Sequence, residues 1–236
     1  MGLFSRRRDD VRTADSHEED TAAEADEAAG TDEQPQSATG PWDVADAPDA
    51  PRIDLGSLRV PAVDGMQMRL DPPREGAAPV AVVLALGGST LELRAFAAPR
   101  TAGIWEELRA DITAELTRAK ASLKVVQGPH GTELLAQVPV PSPEGDRASV
   151  PVRFIGVDGS RWFLRGVLQG RAATDDEAAA ALREVLDGVV VVRDGQARPP
   201  REVLPLHVPG AAPAPAAHDL PGLDPIEPGP TIAEVR

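Results

Sequence analysis

The segment Val152–Gly170, VRFIGVDGSRWFLRGVLQG, constrains the fold more strongly than any other part of the chain. It contains one of the three tryptophans and two of the four phenylalanines in a protein that has no tyrosine. Two runs rich in β-branched and aromatic residues flank the turn sequence Asp158-Gly159-Ser160, a pattern that is typical of a β-hairpin. A hairpin with so many apolar residues needs a packed layer on at least one face, so this segment predicts a sheet that covers a core.

The length of the hairpin loop decides which side chains share a face, because side chains alternate along a strand. A three-residue loop pairs Val157 with Arg161 and Phe154 with Leu164. One face then collects Val152, Phe154, Trp162, Leu164 and Leu168, and the other collects Arg153, Ile155, Arg161, Phe163, Arg165 and Val167. The second face is cationic with an interleaved aromatic residue, and we expect it to meet a partner. The alternative is that its arginines pair with acidic residues of a covering helix or stay in solvent.

Charge is unevenly distributed and separates the chain into three parts. Residues 1–50 carry 4 basic and 14 acidic side chains, residues 51–205 carry 19 and 20, and residues 206–236 carry 1 and 4. We therefore predict a disordered acidic tail over 1–50, one domain over 51–207 and a disordered Pro/Ala-rich tail over 208–236. The acidic first tail, at a net charge of −10, is one candidate counter-charge for the arginine-bearing face. Trp42 lies in that tail and either docks onto the protein's own domain or binds a partner.

Periodic patterns supply the other elements of the predicted domain. Val80–Phe96 reads as a hairpin around Gly87-Gly88, with Val82 opposite Leu93. Apolar residues at helical spacing follow Thr101, and Thr174–Glu177 fits a capping box that opens a second helix. The fold class is therefore α+β: a mostly antiparallel sheet of six to eight strands packed by two principal helices and flanked by disordered tails.

The residue inventory argues against several classes of enzyme and cofactor site. Without cysteine there is no disulfide, thiolate nucleophile or cysteine-ligated metal, which fits a cytoplasmic protein. No phosphate-binding glycine motif, HExxH zinc motif or GxSxG elbow occurs, so we predict no catalytic, cofactor-binding or metal-binding residues. His130 sits at a predicted turn, where a histidine is usually solvated. No secretory signal is recognisable, and no apolar run is long enough to span a bilayer.

Four motifs give the chain a resemblance to a known family. They are Arg52–Gly56, the run AFAAPRTAGIWEELRADI from Ala95 to Ile112, the run from Arg153 to Gly170, and PPREVLPLHVP from Pro199 to Pro209. Together they resemble an uncharacterised protein family of actinobacteria, over roughly Pro41 to Pro209. That family has no established activity, cofactor or catalytic residue, so the resemblance implies no functional residue here. Its members are often encoded near deoxyuridine triphosphatase and an OB-fold protein, which implies a role close to nucleotide or DNA upkeep.

These observations together favour a non-enzymatic cytoplasmic protein-interaction module with a protein partner. The predicted binding residues are Arg153, Arg161, Phe163, Arg165 and Trp42. One alternative is weak binding of single-stranded nucleic acid by the same face, although a net charge of −14 opposes it. Another is an enzyme of unrecognised type linked to nucleotide metabolism, which a pocket joining His130 or His207 to a buried carboxylate would support.

Overall fold

The computed structural model describes residues 39–72, 74, 77–100, 103–141 and 148–210. Their architecture is α+β with mostly antiparallel sheets, as predicted. The strands are β1 (Trp42–Asp43), β2 (Arg52–Asp54), β3 (Leu58–Pro61), β4 (Gln67–Asp71), β5 (Ala81–Leu86), β6 (Ser89–Ala97), β7 (Ser122–Gly128), β8 (Gly131–Val140), β9 (Ala148–Asp158), β10 (Trp162–Gln169) and β11 (Val190–Val191). The helices are α1 (Ile104–Arg118) and α2 (Asp176–Asp187), and a short 3-10 turn precedes α2. Of the tails predicted over 1–50 and 208–236, residues 1–38 and 211–236 lie outside the described residues.

Seven strands form the larger sheet, in the order β4-β5-β6-β10-β9-β8-β7, and all neighbours are antiparallel. The predicted hairpin of β5 and β6 is confirmed, with Val82 opposite Leu93. Gly87 and Gly88 have φ values of +60° and +77°, the left-handed values that a tight two-residue hairpin turn requires. The hairpin therefore supplies two inner strands of the larger sheet, whose core-facing side chains are apolar except for Ser89.

The main core lies between one face of the larger sheet, α2 and the smaller sheet. Its largest fully buried members are aliphatic and aromatic side chains from both sheets and α2, including Leu58, Leu84, Leu91, Leu164 and Leu182. α2 begins one residue later than predicted. Asp175, rather than Thr174, caps it by accepting hydrogen bonds from the main-chain N–H groups of Glu177 and Ala178.

α1 packs on the opposite face of the larger sheet, over β7, β8 and β9. Only Ile104 and Trp105 in its first turn are buried. The Trp105 indole N–H donates to the Thr132 carbonyl at 2.6 Å and fixes the start of the helix on the sheet. The rest of its apolar stripe is half-buried: Leu108, Ile112 and Leu116. The predicted cap, Thr101, lies outside the described residues.

An acidic side chain of the sheet also holds the start of α1. The Asp158 carboxylate accepts the Trp105 main-chain N–H at 3.3 Å. Burial raises the pKa of Asp158, and hydrogen bonds from the first N–H groups of the helix oppose that rise. The end of β9 is therefore tied to the N-terminus of α1.

A second, smaller sheet accompanies the larger one, whereas the sequence patterns predict a single sheet. Its strand order is β1-β11-β3-β2, with β1 and β11 parallel. Trp42 pairs with Val190, and its main-chain N–H donates to the Val189 carbonyl at 2.9 Å. Trp42 therefore docks on its own fold, and the folded part begins before the predicted boundary at 51. Two-residue strands such as β1 and β11 carry no readable periodicity, which is why the sequence does not reveal this sheet.

The C-terminal described segment joins the two sheets. Leu204 donates its main-chain N–H to Ala95 in β6 at 2.9 Å, and Ala97 donates to Glu202 at 2.8 Å. Further along, His207 donates to the Leu55 carbonyl at 2.9 Å. The segment thus pairs with the part of β6 that β5 does not pair with, and it then bonds to Leu55, the residue after β2 of the smaller sheet.

The hairpin of β9 and β10 is present, but its predicted register is wrong. Phe163 lies opposite Asp158, so four residues separate the first pair instead of three. Trp162, the last of these four residues, is buried in the core with Leu164 and Leu168, and its indole N–H donates to Asp43 Oδ1 at 2.7 Å. Gly159 accommodates that ring, because a Cβ at this position would lie 2.0 Å from it. The change of register moves Arg153 and Phe154 each to the face opposite the predicted one.

No α-helix in the described part of the chain is long and apolar enough to cross a membrane.

Candidate interaction surface

A cluster of charged side chains lies on the face of the larger sheet that also carries α1. We call it the arginine face and define it by Glu92, Arg94 and Phe96 of β6 and Arg165 of β10. Arg94 and Arg165 are register partners on adjacent strands, directly opposite each other. Alternation puts all four side chains on the side away from the main core, because the intervening residues of β6 are buried in that core.

The arginine face has one more positive charge than negative. A single carboxylate oxygen, Glu92 Oε1, accepts from Arg165 Nη2 at 2.9 Å and from Arg94 Nη2 at 3.4 Å. Like charges directly opposite on neighbouring strands repel, and one carboxylate offsets only one of them. The Nε atoms of Arg94 and Arg165 are shielded from solvent and have no hydrogen-bond partner among the described residues. The face therefore has unused donor capacity and local positive charge.

The pKa of Arg165 reflects the same excess of positive charge. Burial lowers the pKa of Arg165, the nearby Arg94 lowers it further, and Glu92 opposes both effects. Its side chain retains 20% of its full exposure and that of Arg94 retains 26%, so both guanidiniums remain within reach of a ligand. An added anion would stabilise the charged form of Arg165.

Aromatic rings form the floor of the arginine face. The Arg165 guanidinium carbon lies 5.9 Å from the centre of the Phe96 ring, within the range of a cation–π contact. Phe163 lies below this layer, fully buried, with its ring centre 6.0 Å from that of Trp105 and 5.8 Å from that of Phe96. Phe163 is therefore a core residue that supports the face and offers no open ring to a ligand.

The structure does not bring the five sequence-predicted binding residues together. Arg165 lies on the arginine face, with Phe163 beneath it. Arg153 lies on the opposite face of the sheet, buried against β8 and α2, and Arg161 is exposed in the β9–β10 turn. Trp42 lies in the smaller sheet. The expectation of one surface bearing Arg153, Arg161 and Arg165 is thus wrong, because it depends on the three-residue loop.

The contribution of β6 to this surface is not predicted by the sequence patterns. Glu92 and Arg94 are recognisable as the polar side of the Val80–Phe96 hairpin. Nothing in the sequence indicates that β6 pairs with β10, a strand about seventy residues further along, and that pairing sets Arg94 beside Arg165. The missing signal is long-range strand pairing, which local patterns do not carry.

Arg153 belongs to a buried ion cluster on the α2 side of the sheet. Its guanidinium donates to the carboxylates of Glu133 in β8 and Asp176 in α2. Arg183 of α2 donates two hydrogen bonds to the same Glu133 carboxylate, at 2.8 and 3.0 Å. The Glu133 carboxylate lies against Gly128, where a Cβ would come within 1.9 Å of it. This cluster fulfils the alternative expectation that an arginine of the hairpin pairs with a covering helix.

His130 also contacts α2 and is not the solvated turn residue that the sequence suggests. Its Nε2 lies 2.6 Å from Asp187 Oδ1, and its side chain is only 7% exposed. Asp187 also lines a cleft of about 390 Å³ with Trp42 and Glu184, whereas His130 does not border that cleft. No group of three or more potential metal ligands occurs among the described residues. The histidine therefore anchors the β7–β8 turn to α2.

Comparison with known proteins places the chain in a family without assigning an activity. Residues 40–214 match the family model described as "Protein of unknown function (DUF3710)", and the chain belongs to that family. The match starts just before β1 and includes every described strand and helix, so the smaller sheet is part of the family's domain. No curated protein and no solved structure matches the chain.

Proposed function

We propose that this member of a family of unknown function is a non-enzymatic interaction module whose arginine face binds an acidic segment of a protein partner. The observation that carries the proposal is the shared carboxylate: within the described part of the chain, the two opposed arginines have Glu92 as their one acidic partner. A guanidinium is planar and presents paired donors that match a carboxylate. A carboxylate from a partner would supply the second negative charge at the partly exposed side chains of Arg94 and Arg165.

The surroundings of the arginine face support a protein ligand over nucleic acid. Base stacking on single strands needs an open aromatic ring, but Phe163 is fully buried and Phe96 lies under Arg165. The chain's net charge of −14 also repels a polyanion at long range, whereas a short acidic peptide feels mainly the local excess. Binding of single-stranded nucleic acid is the second candidate, and an oligonucleotide serves as the comparison ligand in the experiment below.

The absence of cysteine supports a cytoplasmic location for this module. An actinobacterial source, and a partner that works close to nucleotide upkeep, remain part of the proposal. The family resemblance supports both of these statements, and no contact in the fold supports either of them.

Replacing both arginines of the face is expected to weaken binding of an acidic peptide at least tenfold. Hydrogen bonds to charged groups contribute about 1.5–3 kcal/mol each, and a tenfold change corresponds to about 1.4 kcal/mol. The probe is a fluorescein-labelled, glutamate-rich dodecapeptide, and the readout is fluorescence anisotropy with wild-type and Arg94→Gln/Arg165→Gln proteins. A labelled oligothymidylate is titrated in parallel.

Arg161→Gln is the matched control, because Arg161 is an exposed arginine of the β9–β10 turn and lies outside the arginine face. It should change peptide affinity by less than about twofold, given that isolated surface charges contribute little. A loss of binding free energy in the control that is half the loss in the double variant, one charge against two, would show that only overall charge matters. Tighter binding of oligothymidylate than of the peptide would favour the nucleic-acid alternative.

Removing the internal carboxylate should have the opposite effect and raise affinity. Glu92→Gln leaves two guanidiniums without a counter-charge, so an incoming carboxylate gains the interactions that Glu92 now makes. We expect the peptide to bind several-fold more tightly, measured by the same anisotropy titration. Weaker binding by Glu92→Gln would mean that Glu92 only maintains the shape of the sheet, and it would contradict the proposed site.

A further inference from the structure

The outer strand β7 ends the larger sheet and leaves one row of its main-chain groups without a partner among the described residues. β7 pairs with β8 on one side only, in a continuous register from Ser122 opposite Gln137 to Gly128 opposite Gly131. Pairs alternate between bonded and non-bonded, so counting from the closing pair at Gly128 turns the N–H and C=O groups of Leu123, Val125 and Gln127 outward. Such an edge is a template for another strand.

The features that usually protect an edge strand are weak in β7. The strand SLKVVQG contains no proline, its register has no bulge, and Lys124 is its one charged residue. Val125 lies at the centre of the strand, and 58% of its surface is exposed. No other large apolar residue in the described part of the chain has a larger exposed fraction. The middle of the edge is therefore apolar as well as open.

α1 adds a second incompletely buried surface beside this edge. Its stripe of Leu108, Ile112 and Leu116 is only half-buried over the β7 side of the sheet. Core-facing helices normally bury such a stripe fully against their own domain. The half-buried stripe and the open strand lie together at one end of the larger sheet and form a single candidate interface.

We propose that a second copy of this chain covers that interface by pairing β7 with β7 about a twofold axis at Val125. An antiparallel pairing of this kind sets Val125 against its counterpart and Lys124 against Val126, so no lysine meets a lysine. It would form about six main-chain hydrogen bonds across the axis. It joins the two larger sheets into one and sets both α1 helices on the same face.

Charge on α1 favours this twofold arrangement over a parallel one. The exposed acidic residues Glu106, Glu107 and Asp111 lie in the first half of the helix, whereas Arg118 and Lys120 lie at and just beyond its end. A twofold axis beside the helices makes them antiparallel, so the acidic half of one approaches the basic end of the other. Self-complementary charge and shape are what an isologous dimer requires, and a helix contact extends the interface beyond the strands towards the area of a stable dimer.

The full chain is expected to run as a dimer, at twice its monomer mass of 24.8 kDa, in light scattering coupled to size-exclusion chromatography. Val125→Lys sets two lysines opposite each other at the axis and should give a monomer at the same protein concentration. Its melting temperature should stay within a few degrees of wild type, apart from the dimer contribution, because the side chain is exposed. Val125→Thr keeps the β-branched shape and should remain dimeric.

Val63 provides a matched control, since it is another exposed valine and lies outside the sheets. Val63→Lys should leave the dimer intact. A wild-type chain that stays monomeric at about 100 μM, well above the typical micromolar range of weak dimers, would overturn the proposal. A dimer that persists in Val125→Lys would show that the copies meet elsewhere.

Cross-linking tests the register directly, because the chain has no cysteine of its own. Val125→Cys carries one thiol, and the proposed pairing sets the two thiols of a dimer about 5.5 Å apart at their Cα atoms. A short bifunctional maleimide should convert most of this variant to a covalent dimer within minutes, whereas Val63→Cys should not cross-link. Equal cross-linking of the two variants would reject the β7 interface. Neither substitution touches the arginine face, so failure here leaves the acidic-peptide proposal standing.

Discussion

Replacing Glu133 with glutamine is expected to lower the free energy of unfolding by about 3–5 kcal/mol, the cost of removing one partner from a buried ion pair. Glu133 is fully buried and accepts hydrogen bonds from both Arg153 and Arg183. Glutamine preserves the size of the side chain. Among the described residues it leaves the two buried guanidiniums with Asp176 as their remaining carboxylate partner, and the Asp176 side chain is 77% exposed. The loss follows from unpaired charge and creates no cavity.

Urea unfolding followed by far-ultraviolet circular dichroism measures this loss, with the midpoint and slope compared between variants. Glu184→Gln is the matched control, because Glu184 lies on α2 next to Arg183 but is exposed. It should change the free energy of unfolding by less than about 0.5 kcal/mol. A loss below about 1 kcal/mol for Glu133→Gln would show that water reaches the cluster and solvates the arginines.

Replacing Trp162 with alanine is expected to cost about 3–5 kcal/mol, the range for deleting a large buried aromatic side chain. Trp162 is 2% exposed and belongs to the main core between the two sheets. Its indole N–H also donates to Asp43, the residue after Trp42 in β1. The substitution therefore removes core volume and one tie between the hairpin and the N-terminal strand.

Thermal and urea unfolding by circular dichroism test this prediction, since loss of a tryptophan complicates fluorescence. Asp43→Asn is the control, because an amide oxygen still accepts from the indole N–H while the ring stays in place and only the negative charge is removed. It should cost no more than about 1 kcal/mol. A loss for Asp43→Asn as large as that for Trp162→Ala would mean that the charge on the Asp43 acceptor, and not the packed ring, holds this corner together.

The two stability predictions also set limits on functional experiments. Arg153 is an internal structural residue of the Glu133 cluster, so substituting it together with Arg165 would confuse unfolding with loss of binding. The pair Arg94 and Arg165 avoids this problem, because both side chains retain partial exposure and share a carboxylate on the surface of the sheet. If the double variant is stable and loses peptide binding, the loss can therefore be assigned to the arginine face and not to unfolding.

Local patterns in the sequence predict the α+β class and most of the individual elements. The Gly87-Gly88 turn fixes the register of β5 and β6, because a two-residue loop leaves no freedom in the pairing. α2 is readable from its cap and spacing, with an error of one residue at Asp175. These features depend on interactions between residues close in the chain, which a single sequence records directly.

The register of the Val152–Gly170 hairpin shows where local reasoning fails. The sequence identifies its two strands and its turn. It is compatible with a loop of either three or four residues between the first paired residues of β9 and β10. Tertiary packing decides the choice: Trp162 enters the core over Gly159 and reaches Asp43, and Arg153 meets Glu133. Each contact joins residues far apart in the chain, and their burial outweighs any preference of the turn itself.

The sequence by itself determined the class of fold, the β5–β6 register and the concentration of acidity in the terminal segments. Only the tertiary structure decided which arginines share a surface. Side chains alternate along a strand, so moving the partner of Phe154 by three residues, from Leu164 to Val167, exchanges the two faces of β9 relative to β10. Only the pairing of β6 with β10 brings Arg94 to Arg165. The free energy that selects this arrangement comes from burial of distant residues against one another, which no local pattern encodes.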